Sequence, residues 1–221
     1  AMKKLPVLLC IFLLSACAPS EVPSDKLLKR NGLKYEINSQ TPFTGVSTDY
    51  YENGQLEYKK TFKNGVENGL AEAYSENGQL RQKGTYKDGV ENGPSEWYYE
   101  NGQLMNKTTF KDGELNGLRD TYHESGQLMI KTTFKDGELN GLYDTYYENG
   151  QLSTKTTYKD GVENGPSEWY YENGQLKTES NWKDGELNGL YENYYENGQE
   201  KFSPKCYQND KEVDISKCKS L

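Results

Sequence analysis

Residues 141–164 read GLYDTYYENGQLSTKTTYKDGVEN, and nearly every part of that string recurs at a fixed step along the chain. Gly54, Gly78, Gly102, Gly126, Gly150, Gly174 and Gly198 are spaced 24 residues apart, each within Glu-Asn-Gly-Gln or a close variant. Two further ladders, Gly45 to Gly189 and Gly65 to Gly185, keep the same step, and the three together hold 20 of the 22 glycines. A period of roughly 20 to 50 residues denotes stacked supersecondary units, each covering its apolar side with its neighbours. Function then belongs to a surface rather than to a pocket.

Counting the glycine that opens each unit as position 0, Tyr fills position 5 in all seven units (Tyr50 to Tyr194), and Leu fills position 11 in all but the last, where Glu200 stands. Position 17 is aromatic: Phe62, Tyr86, Phe110, Phe134, Tyr158 and Trp182. Recurrence of large residues at odd positions is the period-two signature of strands with one packed face. Each unit therefore reads as two strands of about seven to nine residues, joined by Glu-Asn-Gly at one end and Lys-Asp-Gly at the other. A three-residue loop, a type I turn followed by a left-handed glycine, sets Tyr146 opposite Leu152. A two-residue type I′ turn would send them to opposite faces. Ser125 replaces the asparagine in one unit, and serine suits a right-handed position better than a left-handed one.

The predicted fold is all-β: an elongated single-layer antiparallel β-meander of about seven 24-residue hairpin repeats. Fourteen strands at about 4.8 Å each give a sheet roughly 65 Å long. Its Tyr and Leu side is expected to pack along its own curvature. Leu33 to Asn38 supply a starting strand, and residues 201–221 a terminal cap. The boundaries are 1–16 for a signal, 17–32 for a lipidated terminus and linker, 33–44 for the capping strand, 45–202 for the array and 203–221 for the cap. An identical string, GVENGPSEWYYENGQL, occupies 89–104 and 161–176, which points to growth by block duplication.

Met2 to Ala16 has export grammar, with Lys3 and Lys4 before the apolar run Leu5 to Leu14. That run of about ten residues is too short for a span, which needs about 20. Leu14-Ser15-Ala16-Cys17 resembles the bacterial lipobox, which implies cleavage before Cys17 and its lipidation. Two or more acyl chains make a stable anchor. Residues 18–25 then read as a tether. The expected location is the bacterial cell envelope, lipid-anchored at the outer membrane or cell surface. The formal charge is −8, which repels polyphosphates and argues against nucleic acid. Mean hydropathy is −1.01, but 19 tyrosines separate the chain from disordered sequences. Cys206 and Cys218, both beyond the last unit, are expected to form a disulfide in an oxidising compartment.

The phrases YYENGQL, TTYKDG, and ENG or LNG followed by Leu or Pro resemble the bacterial variant of the MORN repeat, the membrane occupation and recognition nexus, over residues 33–201. The 24-residue step departs from the eukaryotic pattern. Members of this bacterial family are often catalogued as antitoxins of toxin-antitoxin systems, and eukaryotic relatives are scaffolds implicated in protein and lipid binding. The resemblance implies a non-enzymatic interaction module.

Residue chemistry agrees with that expectation. His123, the single histidine, occupies position 6, which is Tyr in five sister units, and reads as an aromatic substitute. One histidine cannot assemble the usual nucleophile-base sets. Position 3 is acidic in six units (Glu72, Glu96, Asp120, Asp144, Glu168, Glu192). Six equivalent copies suggest hydrogen bonding to Tyr hydroxyls or to Thr at position 15 rather than one catalytic pair. The turns lack the alternating acids of a calcium loop, so neither metal nor cofactor is expected. The even face would carry Tyr51, Tyr99, Tyr147, Tyr171 and Tyr195 at position 6, Trp97 and Trp169 at position 4, and lysines at position 14. Such rows suit recognition of a protein partner, or stacking on a glycan. They would equally serve as a solvated face that shields the backbone. The duplicated Trp97 and Trp169 favour recognition. Two functions are therefore carried: an envelope-anchored protein-interaction scaffold, and an antitoxin or immunity protein that neutralises a cognate toxin by direct binding.

Overall fold

A computed structural model describes residues 20–220, with Cys17 and the signal segment outside them. Among the described residues, sixteen strands form one open sheet in which, after the first strand, neighbours in sequence are neighbours in space. The first strand, β1 (Glu21–Pro23), is followed by a separate small hairpin, β2 (Leu27–Arg30) and β3 (Leu33–Glu36). The array then runs through β4 (Gly45–Tyr50), β5 (Leu56–Lys63), β6 (Val66–Tyr74), β7 (Leu80–Lys87), β8 (Val90–Tyr98) and β9 (Leu104–Lys111). It continues through β10 (Glu114–Tyr122), β11 (Leu128–Lys135), β12 (Glu138–Tyr146), β13 (Leu152–Lys159), β14 (Val162–Tyr170), β15 (Leu176–Lys183) and β16 (Glu186–Asn193). Two short strands, β17 (Lys205–Gln208) and β18 (Lys211–Val213), close the far edge. The fold is the single-layer meander of seven hairpin repeats that the period implies.

Both turns follow from local backbone chemistry. At the first, Tyr147 N donates to Gln151 O and Gly150 N to Tyr147 O, each at 2.8 Å, and Gly150 has φ of 84°. That is the three-residue loop with its left-handed glycine, and Tyr146 pairs with Leu152. At the second, Lys159 pairs with Val162 around Asp160 (φ 49°) and Gly161 (φ 81°), a two-residue type I′ turn.

One residue further in, the register departs from the sequence expectation. Thr145 pairs with Thr154, which leaves Ser153 as an extra residue between two pairs. A one-residue bulge sends every later side chain on that strand to the opposite face. Positions 1, 3, 5 and 11 therefore share one face, as expected, but the aromatic at position 17 lies on the other, with positions 0, 2, 4, 13 and 15. The lysine at position 14 moves the other way, onto the face of the position 3 acids. A second irregularity sets Asn188, Gly189 and Leu190 across from Asn181. Gly189 has φ of 128°, and a Cβ there would lie 2.9 Å from Asn181 Cβ, so both the backbone and the space require glycine.

A single layer has little core. Among the described residues, buried apolar side chains are confined to Leu27, Phe43, Val46, Phe62, Ala73 and Cys206. Leu27, Phe43 and Phe62 cluster, with Val22 against them, where the N-terminal segment meets the first repeat. The stretch read as tether and linker is thus structured from Ser20 onward. β1 pairs in parallel with β4 and covers the edge that the array would otherwise expose. At the opposite end β17 pairs with β16, and a disulfide joins Cys206 to Cys218.

Candidate functional site

The bulge gives the sheet two chemically different faces. On the first, positions 2 and 15 form a central row of small hydroxylic residues that includes Ser95, Thr108, Thr132, Thr156, Ser167 and Ser180, all buried. Aromatic rings stand beside this row, or trough, and, at Tyr143 and Tyr191, within it: Trp97 lies 6.4 Å from Phe110, Tyr143 5.7 Å from Tyr158, and Tyr191 5.9 Å from Tyr207, centroid to centroid. The hydroxyls are internally satisfied, with Thr156 Oγ1 3.0 Å from Ser167 Oγ and Trp182 Nε1 donating to Ser180 Oγ at 3.0 Å. Hydroxyls paired in this way let small residues line a single-layer sheet without loss of hydrogen bonds.

The opposite face carries a charge ladder down its middle. Cross-strand partners read Lys59, Glu72, Lys83, Glu96, Lys107, Asp120, Lys131, Asp144, Lys155 and Glu168 on successive strands, with signs alternating throughout. Glu96 shows the chemistry most fully. It meets Lys83 at 2.8 Å and Lys107 at 3.4 Å, and accepts from the Tyr98 hydroxyl at 2.5 Å. The Lys83 bond first, and then the Tyr98 bond, hold its carboxyl down at about 2. Tyr170 donates likewise to Glu168 and Tyr194 to Glu192, so tyrosine hydroxyls do serve the acid row. Thr at position 15 does not, because it faces the trough. The aspartates are one methylene shorter: Asp120 Oδ1 and Asp144 Oδ1 are buried without a hydrogen-bond partner, and burial pushes the Asp144 carboxyl up. Beside the ladder, position 1 is exposed in six successive repeats: Leu70, Pro94, Leu118, Leu142, Pro166 and Leu190.

The ladder breaks once. Glu179 stands where the other repeats have lysine, and it pairs with Glu168 on one side and Glu192 on the other. Burial first, then Glu192 and Glu168, raise its pKa. Lys155, beyond Glu168, the hydroxyls of Tyr170 and Tyr194, and Asn181 two residues along the strand share this face. A carboxyl whose folded pKa is raised favours the folded state when protonated, so the contribution is present at acid pH and is lost as pH rises through the raised value. Mild acidification into the ordinary carboxylate range should therefore stabilise the last repeats. Glu179→Lys should remove that acid gain and add about 1–2 kcal/mol at neutral pH, by exchanging two like-charge cross-strand pairs for two opposite ones. Thermal melts from pH 4 to 8 check this, and an unchanged pH profile in the variant would refute it.

The structure divides the expected binding residues. Tyr99, Tyr147 and Tyr171 sit at the rim, where their hydroxyls donate to Tyr122 O, Tyr170 O and Tyr194 O of the next repeat at 2.7–3.0 Å. They staple repeats together, so their placement is structural, and the lysine row expected beside them faces the other way. His123 occupies the same rim position, and its Nε2 is buried without a partner. Trp97 folds against Phe110. Trp169, from the identical sequence block, is 51% exposed, and Tyr195, with no repeat beyond it, is also exposed. Sequence reasoning missed the alternating ladder and the exposed position 1 stripe. Lys at position 14 and acid at position 3 were visible, but only the extra bulge residue brings them together.

No described helix is long and apolar enough to cross a membrane. No group of three potential metal ligands occurs among the described residues. The clefts on the trough face are open, as in the one of about 380 Å³ bordered by Arg119, Phe134 and Tyr143. No curated protein matches the chain. The profile of the MORN repeat variant family matches seven segments: residues 43–64, 67–88, 91–112, 115–136, 139–160, 163–184 and 187–199.

Proposed function

Because the chain belongs to the MORN repeat variant family, we propose that it is a non-enzymatic scaffold of the bacterial envelope, anchored by lipid on Cys17, that binds a protein partner through exposed aromatics at the C-terminal end of its array. The exposure of Trp169 carries this reading. The same sixteen residues occur twice, and in the first copy the indole is packed on Phe110. In the second it stands 51% open to solvent. An exposed Trp is the residue type most often responsible for binding energy at an interface.

The anchor would place the array close to the bilayer. Ser20 O accepts from Val46 N at 2.8 Å, so a residue three positions after Cys17 is tied to the first repeat. Three extended residues reach at most about 11 Å. A lipid on Cys17 would thus hold the N-terminal edge at the membrane, with the later repeats, Trp169 among them, farther out.

Photo-crosslinking from position 169 in solubilised envelopes would identify the partner, and its affinity can then be compared with that of Trp169→Ala. The expected loss is at least about 30-fold, the equivalent of a 2 kcal/mol hot spot, while Trp97→Ala changes affinity little. A single stoichiometric toxin-like partner would favour the immunity function over a scaffold, and oligosaccharide capture would favour a glycan site. Equal binding by Trp169→Ala would remove this surface from the proposal. Absence of palmitate from Cys17 in the wild-type chain would remove the anchor.

A further inference from the structure

We propose that the ladder face is an interface with a second copy of this chain, packed face to face about a two-fold axis that runs parallel to the strands between β9 and β10. The charge pattern selects this arrangement. Ten alternating charges from Lys59 to Glu168 form an even-numbered series, and reversing such a series turns every positive site into a negative one. Rotation about an axis parallel to the strands reverses the ladder and keeps each position along the strand in place. It sets Lys107 over Asp120 of the second copy, and Glu96 over Lys131. Rotation about an axis along the ladder would stack like charges instead, so the alternation discriminates against it. An isologous interface of this kind uses the same patch on both subunits.

The apolar stripe supports the same axis independently. Position 1 occupies every second strand, with Thr at position 16 on the strands between. Reversal exchanges the two sets, so Leu118 and Leu142 of one copy lie over Thr109 and Thr85 of the other. The stripes then interdigitate, and side chains that are 50% and 42% exposed in the single chain become covered. By the same reversal Asp144 stands opposite Lys83 of the second copy, again acid over base. Twisted sheets pack with their strands about 30° apart, which confines the contact to the strands around the axis. The trough face and Trp169 stay outside this interface.

Two measurements on the purified full chain test it. In the first, sedimentation equilibrium of the wild type is expected to give the dimer mass, and the Leu118→Lys/Leu142→Lys double variant the monomer mass, with unchanged far-ultraviolet circular dichroism and a Tm that no longer depends on concentration. In the second, chains carrying Leu142→Cys are mixed with chains carrying Thr85→Cys and treated with a short bis-maleimide, with the unsubstituted chain as blank. The mixed product is expected to dominate, because the two Leu142 positions would be five strands, or about 24 Å, apart along the sheet. A wild-type monomer at the highest soluble concentration, a dimer that persists in the double variant, or Leu142→Cys chains joined mainly to each other would each overturn the proposal. Because Trp169 lies outside the interface, failure here leaves partner binding on the other face untouched.

Discussion

Phe43→Ala should lower stability by about 3–5 kcal/mol, the usual cost of truncating a buried phenylalanine, and the loss should fall on the N-terminal end of the sheet. Phe43 is 3% exposed and packs on Phe62 at 5.9 Å between centroids. Its backbone is also the tie between cap and array. Phe43 N donates to Lys34 O and Gly65 N donates to Phe43 O, while Lys34 N donates to Gly65 O, all at 2.7–2.8 Å. Elsewhere the array has almost no buried apolar side chain to compensate. In a one-dimensional array each repeat touches only its neighbours, so damage at one end spreads inward rather than throughout. Hydrogen exchange should therefore show protection falling in β2 to β5 and holding in β10 to β14. A uniform loss along the sheet, or a cost below about 1 kcal/mol, would contradict this account of the cap.

Reduction of the Cys206–Cys218 disulfide should produce the second largest effect, at the opposite end. The bridge spans a sequence separation of 12, and loops of that order contribute about 3 kcal/mol by restricting the unfolded chain. Cys206 is 1% exposed and pairs with Leu190 of β16 and Val213 of β18. Without the crosslink, β17 and β18 are expected to fray and uncover the edge of β16, whose unpaired N–H and C=O groups invite association with other strands. The expected observations are loss of exchange protection over residues 205–213, concentration-dependent aggregation under reductant, and an unaffected first repeat. Protection that survives reduction unchanged would show that β-pairing alone secures this end.

Both predictions concern the ends because the middle repeats are held differently. There, ladder pairs, rim tyrosines and buried hydroxyl rows each contribute a little, repeat after repeat. Cross-strand pairs are worth roughly 0.2–1 kcal/mol each, so no single side chain in the middle should match Phe43. Trp97 illustrates the consequence for function. Packed on Phe110, it contributes to the sheet, whereas Trp169 in the same sequence context stands exposed.

The repeat, the strand pairs, the place of both turns and the type of the first were legible in the residues alone. These rest on local backbone energetics: glycine at Gly150 and Gly161 tolerates positive φ, and the alternation of Tyr146 and Leu152 fixes the loop between them. Both are properties of a few adjacent residues. How the side chains divide between the two faces came instead from strand pairing. Ser153 is an ordinary strand residue by propensity, and nothing in its neighbours marks it as the extra one. Pairing with the adjacent strand makes it so, and one added residue in a period-two element inverts everything after it. That inversion placed the lysines against the acids, separated Tyr158 from Tyr146, and built the ladder. The unequal exposure of Trp97 and Trp169 was settled at the same level, because identical segments differ only in what the neighbouring strands set beside them.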